Sequence, residues 1–468
     1  MTSHNLSIVL VSAAAALRLA AADSSHAKYF DHYEGTKTCL VCHEEDAKNF
    51  FASQHYQWKG PAPNIANANG KMLGKINTVN DFCTNPMANW IGKVTNSRGE
   101  TISNGCSTCH AGLGKVPGDK ATAEQLENID CLICHASGYR RDLYEDASGK
   151  PVWKPILWKN PVGMDSVAKR ISQPTKVMCL RCHSASGGGA NYKRGDLEYK
   201  LAACERDFDV HMGTDGGKME CVTCHRGEAH RVRGQGADLS GTDTVGRLTC
   251  NSAQCHKDAP HKQPVLNRHT SRVNCTVCHI PAFAREEPTD MDRDWSRSMY
   301  DKDADKYTAF ITLKQNVRPV YVWWNGATKE ALLGEPVPRL ADGSVGVMIP
   351  LGSRGDSKSK VYAMKLHTAR LPLLDGKNFL IPIVVEQFFR NGAIDPAVGA
   401  AAEDFYHVKD AKFSWTATSR YMGIFHGVQP ASKALSCLDC HSPGGRMDWK
   451  ALGYKADPLD TASRASLR

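Results

Sequence analysis

Seven times the chain repeats Cys-x-x-Cys-His, and no other feature limits so strongly what it can fold around. The matches are CLVCH at 39–43, CSTCH at 106–110, CLICH at 131–135, CLRCH at 179–183, CVTCH at 221–225, CTVCH at 275–279 and CLDCH at 437–441. At this usage of cysteine and histidine, chance would supply about 0.03 matches to the haem-attachment pattern. Two thiols one helical turn apart can each add to a haem vinyl group. The histidine that follows then points its imidazole at the iron. Zinc takes four tetrahedral ligands, and it gives no reason for a histidine after every second cysteine. Iron–sulfur clusters use three or four cysteines each and fail in the same way. CNSAQCH at 250–256, sixth in order, holds four residues between its cysteines; in this company it reads as an eighth attachment site on a longer loop. The expected thioether cysteines are therefore Cys39, Cys42, Cys106, Cys109, Cys131, Cys134, Cys179, Cys182, Cys221, Cys224, Cys250, Cys255, Cys275, Cys278, Cys437 and Cys440. The expected proximal iron ligands are His43, His110, His135, His183, His225, His256, His279 and His441.

Two cysteines remain, Cys83 and Cys204. In an exported protein they form a disulfide or stay as buried thiols; the functional alternative makes Cys83 a reactive thiol beside a haem. Of the 19 histidines, eight follow motif cysteines and His4 would leave with a signal segment. Seven of the others lie where a distal ligand is expected: His55, His211, His230, His261, His269, His367 and His426, with His26, His32 and His407 in reserve. Seven distal candidates for eight haems leave one iron without a second imidazole, and that haem would be the place for substrate.

Residues 6–17, LSIVLVSAAAAL, with the small residues that follow, read as a signal segment cleaved near Ala22, which implies a periplasmic protein. No internal apolar run reaches the ~18 residues of a membrane helix, so no anchor is expected in the mature chain. The net charge of +9 resembles a nucleic-acid footprint. Losing Arg18 and adding eight ferric haems of about −1 each brings the holoprotein close to neutral. Without a basic block interleaved with aromatics, nucleic-acid binding is not expected.

Residues 23–280 read as a seven-haem domain in which porphyrins replace the apolar core. They are followed by a haem-free segment from 281 and a C-terminal helical region, ending at 468, that carries the eighth haem. The fold class expected is a mainly α, irregular multihaem cytochrome: short helices wrapped around eight covalent haems. RPVYVWW, SVGVMIP and NFLIPIVVEQFF predict a few strands within 281–430, with helices returning around Arg420–Cys437.

SQHYQWKG, NDFC at 80–83, CSTCHAG, IDCLICH, CLRCHSASGGGANYKRGDL, DVHM, NCTVCHIPAFAR and CLDCHSPGGRMDWKALGYKADP together resemble the octahaem tetrathionate reductase family over most of 36–460. The resemblance implies a haem array shared with hydroxylamine oxidoreductase and pentahaem nitrite reductase. It also implies that the haem of the second motif, on His110, is the active site. Its iron would take a lysine ligand, which falls on Lys193 of YKRGD, with the cysteine of NDFC, Cys83, close by. The chain departs from the family in its C-x4-C-H site and in Cys204.

Two functions follow. The first is a periplasmic reductase of a small oxyanion, tetrathionate foremost, with nitrite and hydroxylamine as further candidates. Electrons would come from a membrane-bound or soluble donor, and Asp209 of DVHM is a candidate proton handler. The second is a non-catalytic electron carrier with eight six-coordinate haems.

Overall fold

The computed structural model describes residues 26–83, 85–95, 101–156, 163–234, 248–252 and 255–459. The expected signal segment at 1–22 and most of the glycine-rich stretch RGQGADLSG lie outside the described residues.

The attachment motifs need only one turn of helix each. Single turns span Leu132–His135, Cys221–Cys224, Thr276–His279 and Cys437–Cys440, while Lys176–His183 ends on its motif. The Thr36–Phe51 helix contains the first motif and leaves helical geometry at His43. The second motif is a 3-10 turn, Cys106–Thr108. Spacing i, i+3 brings both sulfurs of a motif to one face of the turn. Between the turns, among the described residues, lie short helices over Ala123–Glu127, Met164–Lys169 and Pro264–Thr270, a 3-10 turn at Tyr199–Ala203, and three small hairpins. The hairpins are β1 (Gly92–Thr95) with β2 (Thr101–Asn104), β3 (Arg141–Glu145) with β4 (Pro151–Pro155), and β5 (Gly227–Glu228) with β6 (Arg231–Val232).

The mainly α expectation is overturned. Helix accounts for 23% and strand for 22%, and the largest element is an eight-stranded mixed sheet. Its strands are β7 (Thr289–Asp301), β8 (Lys306–Lys314), β9 (Val320–Trp324), β10 (Thr328–Glu330), β11 (Val345–Pro350), β12 (Lys360–Leu374), β13 (Phe379–Leu380) and β14 (Phe413–Gly423). The main order is β10-β11-β14-β12-β7-β8, with β9 and β13 also pairing β12; β11–β14 and β12–β7 are parallel. RPVYVWW and SVGVMIP form β9 and β11. NFLIPIVVEQFF divides between β13 and a helix, Val385–Asn391, and a second helix follows over Ile394–Tyr406. The helices expected around Arg420–Cys437 are replaced by the end of β14 and a 3-10 turn at Ala431–Lys433.

The long strands β7, β12 and β14 carry charged and hydroxyl residues where a half-buried strand would alternate, which hid them from a period-two reading. On β12, Lys365, His367, Leu371 and Leu373 share one face. All four are buried. The Leu371 and Leu373 end packs with Trp295, Val345, Phe388, Ala397 and Val398 in the main apolar core. The Lys365 and His367 end lies against the loops described next. Chain on either side of residue 280 packs together: Ile65 bridges Thr328, and the Phe283 ring lies against Gly195.

Candidate haem array and active site

A continuous cavity of about 3550 Å³ runs through the molecule, and cysteines and histidines of seven of the eight motifs line it. A site for one small ligand holds roughly 300–1,000 Å³, so this is space for a row of large planar groups.

The histidines measure the fit. An iron between two imidazoles, each at ~2.0–2.1 Å from its nitrogen, sets the ring centroids roughly 6.3 Å apart. Seven motif histidines each face another histidine at that spacing. The pairs are His43 with His26 (6.2 Å), His135 with His230 (6.3 Å), His183 with His55 (6.2 Å) and His225 with His426 (6.1 Å). The remaining three are His256 with His211 (6.1 Å), His279 with His261 (6.2 Å) and His441 with His269 (6.3 Å). The residues therefore fit haem.

Nδ1 hydrogen bonds orient many of these rings. His43 is held by Asp46 (3.0 Å), His135 by Ser172 O (2.9 Å), His225 by Arg233 O (2.8 Å) and His269 by Val265 O (2.9 Å). Asp196 holds His426 at 3.1 Å and Asp457 holds His441 at 2.6 Å. Engaging Nδ1 leaves the Nε2 lone pair for a metal. Burial lowers His110 to about 4, with Lys75 adding to the fall, and burial lowers His183 to about 3, so both imidazoles are neutral and able to ligate.

Two expected assignments change. His367 stands apart from every motif histidine: its Nδ1 bonds Asp81 (2.7 Å), its Nε2 lies 3.4 Å from Asp290, and its ring stacks on Phe82 at 4.0 Å. Its place as a distal partner is taken by His26, from the reserve. Asp209, expected to handle protons, has both oxygens engaged by backbone. It accepts from His211 N (2.8 Å), Met212 N (2.9 Å), Gly427 N (2.9 Å) and Val428 N (3.1 Å), so it fixes the loop that presents His211.

Cysteines of neighbouring motifs meet and trace the array. Their unbridged side chains lie near one another: Cys39 near Cys131, Cys134 near Cys179, Cys179 near Cys221, Cys224 near Cys255, Cys250 near Cys275 and Cys278 near Cys440. In motif order the line runs first, third, fourth, fifth, sixth, seventh, eighth. The second motif joins it from the side, where Cys109 lies near Cys182 of the fourth.

That side branch holds the exception. Among the described residues no histidine ring pairs with His110 at the spacing of the other seven, although His55 lies in its electrostatic reach; its ring lies 5.1 Å from Trp90 and its Nδ1 3.3 Å from Tyr56 O. The charged and titratable neighbours of Cys106, in the same motif, include Cys83, Lys75 and Lys193. Lys193 is 5% exposed and lines the cavity, as do Cys83, Tyr192, Arg293 and Lys306. Burial lowers Lys306, against the pull of Asp301 and Cys83. Cys83 and Cys204 are not bridged: Cys204 is fully buried with Leu180, Leu201 and Met212, while Cys83 packs at the edge of the sheet core.

Sequence reasoning missed the residues that build this branch. Arg141 pairs with Asp130 (2.8 Å) and donates to the carbonyls of Gly112, Ser107, Thr108 and His110, which shapes the second motif from behind. Asp81, Asp290, Arg293, Lys365 and Arg420 form a buried charged cluster beneath it. The one signal available was the run MKLHTAR, which places a lysine and a histidine on alternate positions of an otherwise apolar stretch.

A family model described as bacterial cytochrome c matches residues 285–444. A crystal structure of octahaem cytochrome c from Shewanella oneidensis superimposes with a TM-score of 0.74 at 27% identity, covering 93% of this chain and 98% of that one. An uncharacterized protein of Archaeoglobus fulgidus is 33% identical over 250 residues, which span 46% of this chain and 80% of the relative. With the paired histidines, these define a multihaem c-type cytochrome with covalently bound haem and a redox, electron-transferring role. The chain belongs to the octahaem cytochrome c family.

Proposed function

We propose that this chain is an exported, periplasmic octahaem cytochrome that reduces a small oxyanion at the second motif, tetrathionate to thiosulfate foremost. Of eight covalent haems, the seven between two histidines would feed that site. The observation that carries the reading is the isolation of His110 beside the buried Lys193, against seven paired motif histidines. When bound, haem would supply one-electron redox chemistry at every motif and, at the second, would deliver electrons to substrate held beside it.

The chain's own residues then divide the work. Lys193, buried near Cys106 of the same motif, would offer a second ligand to the iron that His110 would hold. Lys75, Arg293 and Lys306 give the branch a positive field for a dianion. Cys83, unbridged and lining the cavity, would carry out thiol–disulfide exchange. Its thiolate attacks a central sulfur of tetrathionate, the S–S bond breaks and one thiosulfate leaves. The sulfur–sulfonate left on Cys83 takes two electrons, which restores the thiolate and releases the second thiosulfate. No proton is consumed, in keeping with Asp209 being engaged by backbone. A membrane-bound or soluble electron donor serves the seven-member line, with the signal segment at 1–22 directing export.

Lys193→Ala tests the reading. The oxidised variant is expected to change the absorption and electron paramagnetic signature of one haem, to lose tetrathionate reduction, and to keep the other haems reducible. A variant with wild-type signature and activity would return the chain to the electron-carrier reading. Retained nitrite or hydroxylamine turnover without tetrathionate turnover in the wild type would move the substrate to nitrogen.

A further inference from the structure

We propose that Lys365 and Arg293 are positioning residues, which latch the Lys193 loop and the Cys83 loop to neighbouring strands of the sheet and so set the relation of amine to thiol. The inference rests on the reading of Lys193 above.

The latch is visible bond by bond. Lys365 Nζ donates to the carbonyls of Tyr192 (2.7 Å) and Lys193 (3.0 Å) and to Thr289 Oγ1 (2.6 Å). Three acceptors surround Nζ, so every N–H bond it carries has a partner, and burial lowers the group to about 7. Thr289 Oγ1 in turn shares its single proton between the carbonyls of Asn191 (2.7 Å) and Tyr192 (3.0 Å). Lys193 N–H bonds Ser186 O (3.2 Å), so three consecutive carbonyls and the ligand residue's own amide are fixed. On the adjacent strand Arg293 is anchored by Asp290 (2.7 Å) and reaches both loops, donating to Phe82 O next to Cys83 and to Gly187 O (2.8 Å). Strand β7 places Thr289, Asp290 and Arg293, β12 places Lys365, and the two strands pair in parallel register from Thr368–Asp292.

A lysine buried on a strand is costly unless it is bonded. Ordinary packing could have been supplied by methionine at no such cost. The position of this cation under the backbone of Lys193 is what a positioning role requires, because a ligand must be held within about 0.5 Å of its productive place.

Lys365→Met removes the donor and leaves the Tyr192 and Lys193 carbonyls buried without it. The lysine-ligated signature of the second-motif haem, read without substrate, is expected to fall about tenfold in population. The seven bis-histidine haems are expected to keep their signals. In a Lys193→Ala background the same substitution is expected to change the spectrum no further. If Lys365→Met fails to fold, Thr289→Val removes one acceptor of Lys365 and the proton that the hydroxyl shares between two carbonyls, and the same single-haem change is expected. A full-strength lysine signature in the foldable variant, or equal disturbance of several haems, overturns the positioning role. The two ideas fail separately. If Lys193→Ala leaves the spectrum intact, the ligand reading falls; if Lys193→Ala removes the signal while Lys365→Met and Thr289→Val keep it, only the latch falls.

Discussion

The rings of His211 and His256 face each other at 6.1 Å, although His256 belongs to the motif with two extra residues between its cysteines. His256 keeps the paired spacing despite the insertion. His256 N–H bonds Cys250 O at 3.2 Å, the same closure that His110 makes to Cys106 O (3.2 Å) and His279 to Cys275 O (3.0 Å). Cys250 also meets Cys275 of the next motif, which places this site inside the line of haems and not beside it.

The holoprotein is therefore expected to exceed its mature polypeptide mass by eight haems, about 616 Da each. Cys250→Ala with Cys255→Ala should remove one haem and leave seven, and intact mass spectrometry decides it. A wild-type mass with seven haems rejects the C-x4-C-H assignment.

His26, facing His43 at 6.2 Å, gives the second expectation. Replacing it by alanine opens one coordination position, so the oxidised His26→Ala variant should gain one high-spin signal. His367→Ala should gain none, because that ring serves Asp81 and Asp290. Its effect should appear as lost stability of about 3 kcal/mol, the usual consequence of leaving buried charges without a partner. The reverse pattern would make His367 the ligand and His26 a surface residue.

What the sequence made legible follows from how local each signal is. The attachment sites are pentapeptides whose geometry is complete within one helical turn, so they could be read directly. Distal histidines depend on which loops meet. Their number was readable from the residue count, but His26 and His367 exchanged roles because nothing local separates a histidine in DSSHAK from one in KLHTAR. The sheet was under-read for a related reason. β7 reads TDMDRDWSRSMYD, with Thr289, Asp290, Arg293 and Asp294 all buried, and such a strand stands only because its polar groups find partners on β12 and the loops. Pairing across 70 to 300 residues leaves no periodic trace.

Asp81 predicts how the site responds to acid. Burial alone would raise its carboxyl, but Arg420 at 2.7 Å and His367 at 2.7 Å outweigh it and hold the group well below the usual carboxylate range. The unfolded chain takes up that proton near ~3.9 while the folded one resists it. The stabilisation is thus fully present above pH ~4 and declines by about 1.4 kcal/mol per pH unit below it. Asp81→Asn should cost about 3–5 kcal/mol at pH 7 and progressively less below pH ~4. Denaturant titrations of both proteins at several pH values check this; a difference independent of pH would mean that Asp81 is not ionised in the fold.

Gly187 offers the mildest way to disturb the candidate active site. It adopts φ +94, a conformation that L side chains rarely take, and a Cβ there would lie 3.0 Å from Lys193 Cβ and 3.1 Å from Lys193 N. Its carbonyl accepts from Arg293 at 2.8 Å, so it cannot move aside without releasing the latch. Gly187→Ala should therefore cost about 1–2 kcal/mol through the backbone. It should also shift Lys193 enough to alter the signature of the second-motif haem alone. Gly399→Ala is the matched control: it lies in the Ile394–Tyr406 helix, and an added Cβ meets nothing within 4 Å. That change should leave every haem signal in place and stabilise the helix by roughly 0.5–1 kcal/mol. Unfolding curves and low-temperature paramagnetic spectra of the two variants separate the effects. If Gly187→Ala loses stability while the second-motif haem keeps its wild-type signal, Lys193 is not the residue that this glycine makes room for.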